Sequence, residues 1–261
     1  MKLALIGGTG FYAADFLGSV QTVEVETRYG SVQLSSGQRG DVTVYFLSRH
    51  GKGHRLPPHQ VNYRANIAAL KRLEVQGIFA TNAVGSLNAE FKPGNLVLID
   101  QFLDFTKNRP NTFFQGEDLP VVHTDMSHPY CRYLRQAIFN QGQALGMPVH
   151  DHGTYVCTEG PRFESAAEIT MFQTLGGGVV GMTGLPEVAL AREAGICYAG
   201  ISLVTNFGAG ISPEPLTHEE VVEMMEKNGE RCLTLLLATI EQLPHAWSCG
   251  CEKRPEADRI G

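Results

Sequence analysis

The sequence predicts a three-layer α/β/α fold with a mixed, mostly parallel central sheet. Short runs rich in β-branched and aliphatic residues alternate along the chain with stretches of helical periodicity. Those runs are apolar nearly throughout, as expected of strands covered by helices on both faces. The chain of 261 residues is 43% hydrophobic, enough to bury a sizeable core.

Strands are expected over 3–6, 42–47, 78–81, 95–100, 154–157, 179–182 and 198–205. Helical spacing places Ile67, Leu70 and Leu73 on one face of a segment over 62–74. It does the same for Leu134, Ile138 and Leu145 over 132–145. Ser165 with Glu168, and Thr217 with Glu220, read as capping boxes, in which hydroxyl and carboxylate satisfy the unpaired amides of a first turn. Pro186 fits the first turn of another helix, where a missing N–H costs nothing. No internal repeat or linker is evident, so residues 1–245 read as one domain and 246–261 as a C-terminal tail.

A net charge of −6 gives no reason to expect a nucleic-acid or membrane-surface partner. The four apolar residues after Lys2 are too few for a secretory core, and no run approaches the roughly 20 needed to span a bilayer. A cytoplasmic enzyme is therefore expected. Cys131, Cys157, Cys197 and Cys232 stand alone in apolar or helical segments and read as reduced thiols. Cys249 and Cys251 form a C-G-C pair that reads first as part of an exposed, mobile tail, with a redox pair or a covalent clamp as the alternative.

In parallel sheets, ligands bind outside the carboxyl ends of strands, and those ends carry the chemistry. The first strand ends in Gly7-Gly8-Thr9-Gly10, where glycine amides can approach an anion and Thr9 adds a hydroxyl. A dinucleotide site would open similarly, but none of the tyrosines has the lysine four residues on that a short-chain dehydrogenase needs. The second strand runs into Arg49-His50-Gly51; the guanidinium offers a fork for an oxyanion, although an isolated Arg-His-Gly also fits a solvated turn. Asn82, Ala83 and Gly85 follow a third strand, and Met182-Thr183-Gly184 a fourth. Two further segments could read a heterocyclic base. Phe163 and Glu164 sit in a Gly-Pro turn, and Asn206-Phe207-Gly208 ends the last strand. A carboxylate accepts the N1–H of a 6-oxopurine; a carboxamide can donate to O6 and accept from N7–H together.

In this order, ALIGGTGF, LSRHG, PPHQVNYRANIAALK, TNAVGSL, PGNLVLIDQFLD, EGPRFES, GMTGLPEVALAREAGICYA and SLVTN resemble the methylthioadenosine phosphorylases and related trimeric purine nucleoside phosphorylases over roughly residues 3–240. The resemblance implies that Thr9, Arg49, His50, Asn82, Ala83 and Thr183 bind phosphate, that Met182 lies against the ribose and that Phe163 stacks on the purine. It implies that His123 is inserted into a neighbouring subunit's site and that the assembly is a homotrimer, or a hexamer as a dimer of trimers. Where methylthioadenosine phosphorylases carry Asp-x-Asp after the last strand and Ser after the aromatic, this chain has Asn206-Phe207-Gly208 and Glu164. That pair is similar to inosine/guanosine phosphorylases, as is His218, the counterpart of a histidine directed at the sugar 5′-hydroxyl.

The expected reaction is thus phosphorolysis of 6-oxopurine nucleosides, with Asn206 and Glu164 acting on the base, phosphate as co-substrate, and no cofactor or metal. Methylthioinosine and methylthioadenosine phosphorolysis remain alternatives. A non-catalytic binder of planar ligands, presenting Phe163 and Phe207, and a nucleoside hydrolase fit the residues less well.

Overall fold

The computed structural model describes residues 1–8, 15–51, 53–116, 119–212, 218–252 and 255–260, without the side chains of Asp15, His218, Glu220 and Pro255. Thr9, Thr217 and the side chains of His218 and Glu220, each assigned a part on sequence grounds, lie outside what is described.

An 11-stranded mixed sheet forms the middle layer. At its centre β1 (Lys2–Gly7) is parallel to both β4 (Val42–Ser48) and β5 (Gly77–Ser86). On the β4 side, β2 (Gln21–Thr27) and β3 (Gly30–Arg39) extend the sheet as an antiparallel hairpin. On the other side, β5 pairs in parallel with β11 (Cys197–Phe207), which in turn carries β6 (Leu96–Leu98) and β8 (Val149–His150). The edge that β5 offers to β1 ends at Ala80, and at Gly85 the same strand takes up β10 (Val179–Gly181) antiparallel. β10 leads in parallel to β9 (Thr154–Thr158) and then to β7 (Gln101–Phe105). The sheet therefore forks along β5, and residues 81–84 lie where one neighbour has left and the next has not begun.

Alternation along β1 sends Ala4 and Ile6 into one core and Leu3 and Leu5 into the other. The first core is covered by α1 (Tyr63–Arg72) and α4 (Gly184–Glu193), the second by α2 (Arg132–Ala144) and α5 (His218–Gln242). A small third cluster sits under α3 (Ala166–Thr174), where Ile169 and Phe172 meet Leu87, Val156 and Val180. The three-layer expectation thus holds. So does the Ser165–Glu168 capping box, with both of its reciprocal bonds present. In α4 the regular backbone begins at Pro186, because Leu185 is extended at φ −115°, ψ 140°. At the start of α1 the Asn62 side chain accepts from the Ala65 amide at 3.1 Å, and Lys71 and Arg72 sit at the favourable end of its dipole.

β2, β3, β7 and β8 were not expected. β2 and β3 form a partly solvated hairpin in which Val25, Val32 and Leu34 face inward between polar neighbours. A search for continuous apolar runs passes over that two-residue period. The tail is also less exposed than its composition suggests: Cys251, Ala257 and Ile260 are all buried against the cores.

α1 separates local from packing contributions to stability. Leu70→Ala removes a fully buried side chain and is expected to lower the unfolding free energy in urea by about 2–5 kcal/mol. Loss of the cap in Asn62→Ala is expected to cost only about 1 kcal/mol. Equal effects would mean that α1 is not held by its buried face.

Candidate active site

A cavity of about 450 Å³ opens at the fork, lined from five directions by Gly8, the end of β4, residues 82–85 of β5, the end of β10 and the end of β11, with the loop after β9 closing it. The position follows from topology, since strand ends separate where the sheet changes partners.

Arg49 leaves β4 one residue past the ladder, its amide still bonded to the Gly7 carbonyl at 3.0 Å. Its guanidinium is fully buried and grips Glu187 of α4 bidentately, Nε to Oε2 and Nη2 to Oε1 at 2.7 Å each. Nη1 donates to the Thr81 carbonyl at 2.9 Å, and the Tyr198 hydroxyl donates to Glu187 Oε1 at 2.7 Å. Burial opposes the Arg49 charge, but the Glu187 carboxylate outweighs it and holds the guanidinium's pKa above its ordinary value. The fork assigned to an anion from sequence is therefore committed to Glu187. What Arg49 can offer the cavity is the remaining N–H on each of Nη1 and Nη2. Gly8 makes this possible, because a Cβ there would stand 2.8 Å from Nη1 and 3.0 Å from the Thr81 carbonyl oxygen.

His50 lines the cavity beside it. Nδ1 lies 2.8 Å from the Leu56 carbonyl, which can only accept, so the proton sits on Nδ1 and Nε2 carries a lone pair. Burial, then the Arg49 charge, push the imidazole pKa down to about 4. A neutral His50 can accept from a P–OH group while Arg49 supplies charge. His54 stacks on it at 4.1 Å between ring centroids.

Thr183 donates its hydroxyl to Asn82 Oδ1 at 3.0 Å, joining the ends of β10 and β5 across the fork. Beneath them the Tyr155 hydroxyl accepts from the Thr183 and Gly184 amides at 3.2 and 3.3 Å. Ala83 and Met182 complete this side of the lining. On the opposite side Glu164 Oε1 accepts from the Thr158 hydroxyl at 2.6 Å, and burial raises its carboxyl pKa. A register shift between Val204 and Asn206 leaves Thr205 bulged out of the ladder, and Asn206 resumes the pairing opposite Gly85 with its side chain toward the cavity. Its Oδ1 accepts from Thr205 Oγ1 at 2.7 Å and its Nδ2 donates to the Phe207 carbonyl at 2.8 Å, which leaves one lone pair and one N–H. Phe163 is 38% exposed at the rim.

Of the residues singled out on sequence grounds, Arg49, His50, Asn82, Ala83, Phe163, Glu164, Met182, Thr183, Asn206 and Gly208 line this one cavity. Phe207 does not. It sits between Asn206 and Gly208 on an extended segment, where alternation turns it to the other face. His123 lies on an exposed segment without regular structure and does not line the cavity of its own chain.

The sequence reading missed the supports. Glu187, Tyr198 and Tyr155 looked like ordinary helix and strand residues. Arg109, in a segment without regular structure, is buried and donates to the carbonyls of Met182, Leu185 and Glu159 at 2.7 Å each and of Thr158 at 3.2 Å. It binds the β9 and β10 ends together beneath the site, and nothing local in the sequence signals that.

Residues 2–241 match the model of the Phosphorylase superfamily. The chain is 51% identical over 257 residues to the 6-oxopurine nucleoside phosphorylase of Pyrococcus furiosus, covering 96% of each. It is 46% identical over 252 residues, again 96% of each, to the S-methyl-5′-thioadenosine phosphorylase of Pyrococcus horikoshii. Among solved structures, the methylthioadenosine phosphorylase of Schistosoma mansoni in complex with adenine superposes with a TM-score of 0.89 at 36% identity, covering 92% of this chain and 91% of that one.

Glu187→Ala strands a buried guanidinium and is expected to destabilise the protein by about 3–5 kcal/mol in urea unfolding; a cost below about 1 kcal/mol would contradict the pairing. His50, with a folded-state pKa of about 4 against an ordinary 6.5, contributes stability that is complete above pH 6.5. That contribution is lost as pH falls toward 4, below which both states carry the proton. In His50→Asn, unfolding curves across that window should slope less steeply than those of the unsubstituted chain.

Proposed function

The chain belongs to the Phosphorylase superfamily, and on that premise we propose that it is a pentosyltransferase cleaving 6-oxopurine nucleosides with inorganic phosphate to give the free base and ribose 1-phosphate. The observation that carries this reading is that one cavity is lined both by Arg49, His50, Asn82 and Thr183 and by Glu164, Asn206 and Phe163. The first group suits an oxyanion and the second a 6-oxopurine.

Phosphate is held by the remaining Arg49 N–H groups, the Ala83 backbone N–H and the Thr183 hydroxyl, whose proton turns to it from Asn82 Oδ1, with His50 Nε2 accepting from a P–OH and Thr9 expected there from the resemblance. The C1′–N9 bond breaks with its electron pair passing to the purine, and a phosphate oxygen bonds C1′ of the oxocarbenium-like sugar. The phosphate charge stabilises the sugar cation. As negative charge reaches the purine, the spare Asn206 N–H donates to O6; N7 takes up a proton from solvent, and Asn206 Oδ1 accepts a hydrogen bond from the N7–H so formed. Glu164 accepts N1–H through the oxygen that Thr158 leaves free. This assignment disfavours adenine, which presents a lone pair at N1. Met182 and Phe163 pack against sugar and base. Electrostatics from these residues and the co-substrate carry the reaction as written, which calls for no further cofactor.

A second reading, adenine-releasing phosphorolysis of methylthioadenosine, is favoured by the likeness to the Pyrococcus horikoshii and Schistosoma mansoni enzymes. The discriminating residues are Glu164 and Asn206. No helix among the described residues is long and apolar enough to cross a membrane; a cytoplasmic location belongs to the proposal. So does a homotrimer or hexamer in which the exposed His123 enters a neighbour's site near the sugar 5′ end, with His218 on the 5′-hydroxyl.

Incubation with inosine, guanosine, methylthioinosine and methylthioadenosine, with and without phosphate, tests the reading. Base release is expected to require phosphate and to favour 6-oxopurines; cleavage without phosphate would indicate hydrolysis, and adenine preference the second reading. Asn206→Ala should lower kcat about a hundredfold, the equivalent of about 3 kcal/mol, with little change in KM. Asn206→Asp should move preference toward adenine substrates, and an undiminished preference for inosine would sink this account of base choice.

A further inference from the structure

Four cysteines meet at the opposite end of β11 from the cavity. Cys131 is the N-cap of α2, Cys197 begins β11, and Cys249 and Cys251 come from the C-terminal tail. All four Sγ atoms lie within 4.8 Å of one another, with Cys197 and Cys249 at 3.2 Å. Local sequence shows Cys131 and Cys197 as isolated thiols far from the tail pair; the fold puts all four in one cluster. Cys157 and Cys232 do stand alone, and burial pushes each of their thiols up to about 12.

We propose that Cys131, Cys197, Cys249 and Cys251 form a structural zinc site that clamps the C-terminal tail to the start of β11 and the N-terminus of α2. Zinc–sulfur bonds of about 2.3 Å place tetrahedral ligand sulfurs about 3.8 Å apart, so the observed spread closes onto one ion with shifts of under about an ångström. The sulfurs do not separate into two remote pairs, since all four lie within 4.8 Å of one another and the Cys249 sulfur of the tail approaches that of Cys197 in the core at 3.2 Å. Three of the four are buried, and a closed all-thiolate set suits zinc over harder cations.

The surroundings fit. The Trp247 indole N–H donates to Cys197 Sγ at 3.3 Å, the kind of outer contact that orients a thiolate ligand, and its ring stacks on Tyr133. The N-terminus of α2 places its positive dipole end at Cys131. Gly250, at φ +78°, sets the tight turn that brings its two neighbouring cysteines to the same cluster. The Cys249 thiol donates to Glu252 Oε2 at 3.5 Å, at the exposed edge, a contact given up when the thiol is deprotonated. On binding, the four thiols lose their protons to solvent as the zinc–sulfur bonds form, with no change of oxidation state. Asn206 lies about 30 Å further along β11, so the ion serves the fold rather than the reaction.

The test uses the full chain, purified with a thiol reductant and without chelator, exposed to Zn²⁺ and dialysed. Elemental analysis is expected to find one zinc per chain in the unsubstituted protein and in Cys232→Ala, and none in C249S/C251S. That double variant should also lose thermal stability while keeping phosphorolysis at moderate temperature. Co²⁺ in place of Zn²⁺ should give intense thiolate-to-metal absorption and tetrahedral d–d bands, absent in Cys197→Ser. Should a variant fail to fold, the cobalt spectrum of the unsubstituted chain still decides. A metal-free protein whose intact mass shows the cysteines joined as disulfides, four reactive thiols with no cobalt spectrum, or zinc retained by C249S/C251S would each overturn the proposal.

Discussion

A guanidinium with no exposed surface is intolerable unless something holds its charge, and the ion pair of Arg49 with Glu187 is the constraint around which the site is arranged. Its partners come from four elements. Arg49 follows β4, Glu187 lies in the first turn of α4, Tyr198 stands near the start of β11, and the Thr81 carbonyl belongs to β5. None can move without leaving a buried polar group unpaired, which is what fixes the cavity wall to within hydrogen-bonding tolerance. The same arrangement limits what Arg49 can do: it presents a preorganised edge rather than its whole fork, a rigid donor in a dry setting.

The forked sheet supplies the space. A strand flanked on both sides by ladder partners has no room beside it for a ligand, and β5 is flanked except over residues 81–84. The breach would be unstable if its edges were free. Thr183 to Asn82 bridges it on the cavity side, and Tyr155 and Arg109 bind the β9 and β10 ends from below. Arg109 satisfies carbonyls at and just past the ends of β9 and β10 and at the extended Leu185, where regular ladders stop.

The two ends of β11 serve different ends of the molecule. At the carboxyl end a bulge at Thr205 precedes Asn206, which lines the cavity; at the amino end Cys197 meets the tail and α2. Between them lies the most continuously buried strand of the sheet, covered by α4 on one face and α2 and α5 on the other.

The sequence by itself determined the layer architecture, because apolar runs of strand length between helical periods leave few alternatives. It also determined the main polar groups of the cavity lining, because strand-end chemistry is local: Arg49, His50, Asn82, Thr183 and Asn206 each follow closely on an apolar run, and Glu164 lies in the Gly-Pro turn after another. The antiparallel hairpin of β2 and β3 was legible in its two-residue alternation but escaped a reading tuned to buried strands. Only the tertiary structure decided which groups support others. That Arg49 is paired with a residue 138 positions away, that Phe207 faces away from the cavity, and that Cys131 and Cys197 join the tail cysteines are all long-range facts. Hydrogen bonds and ion pairs between distant elements depend on the register and crossing of the strands that bring them together, and no local pattern of residues encodes that.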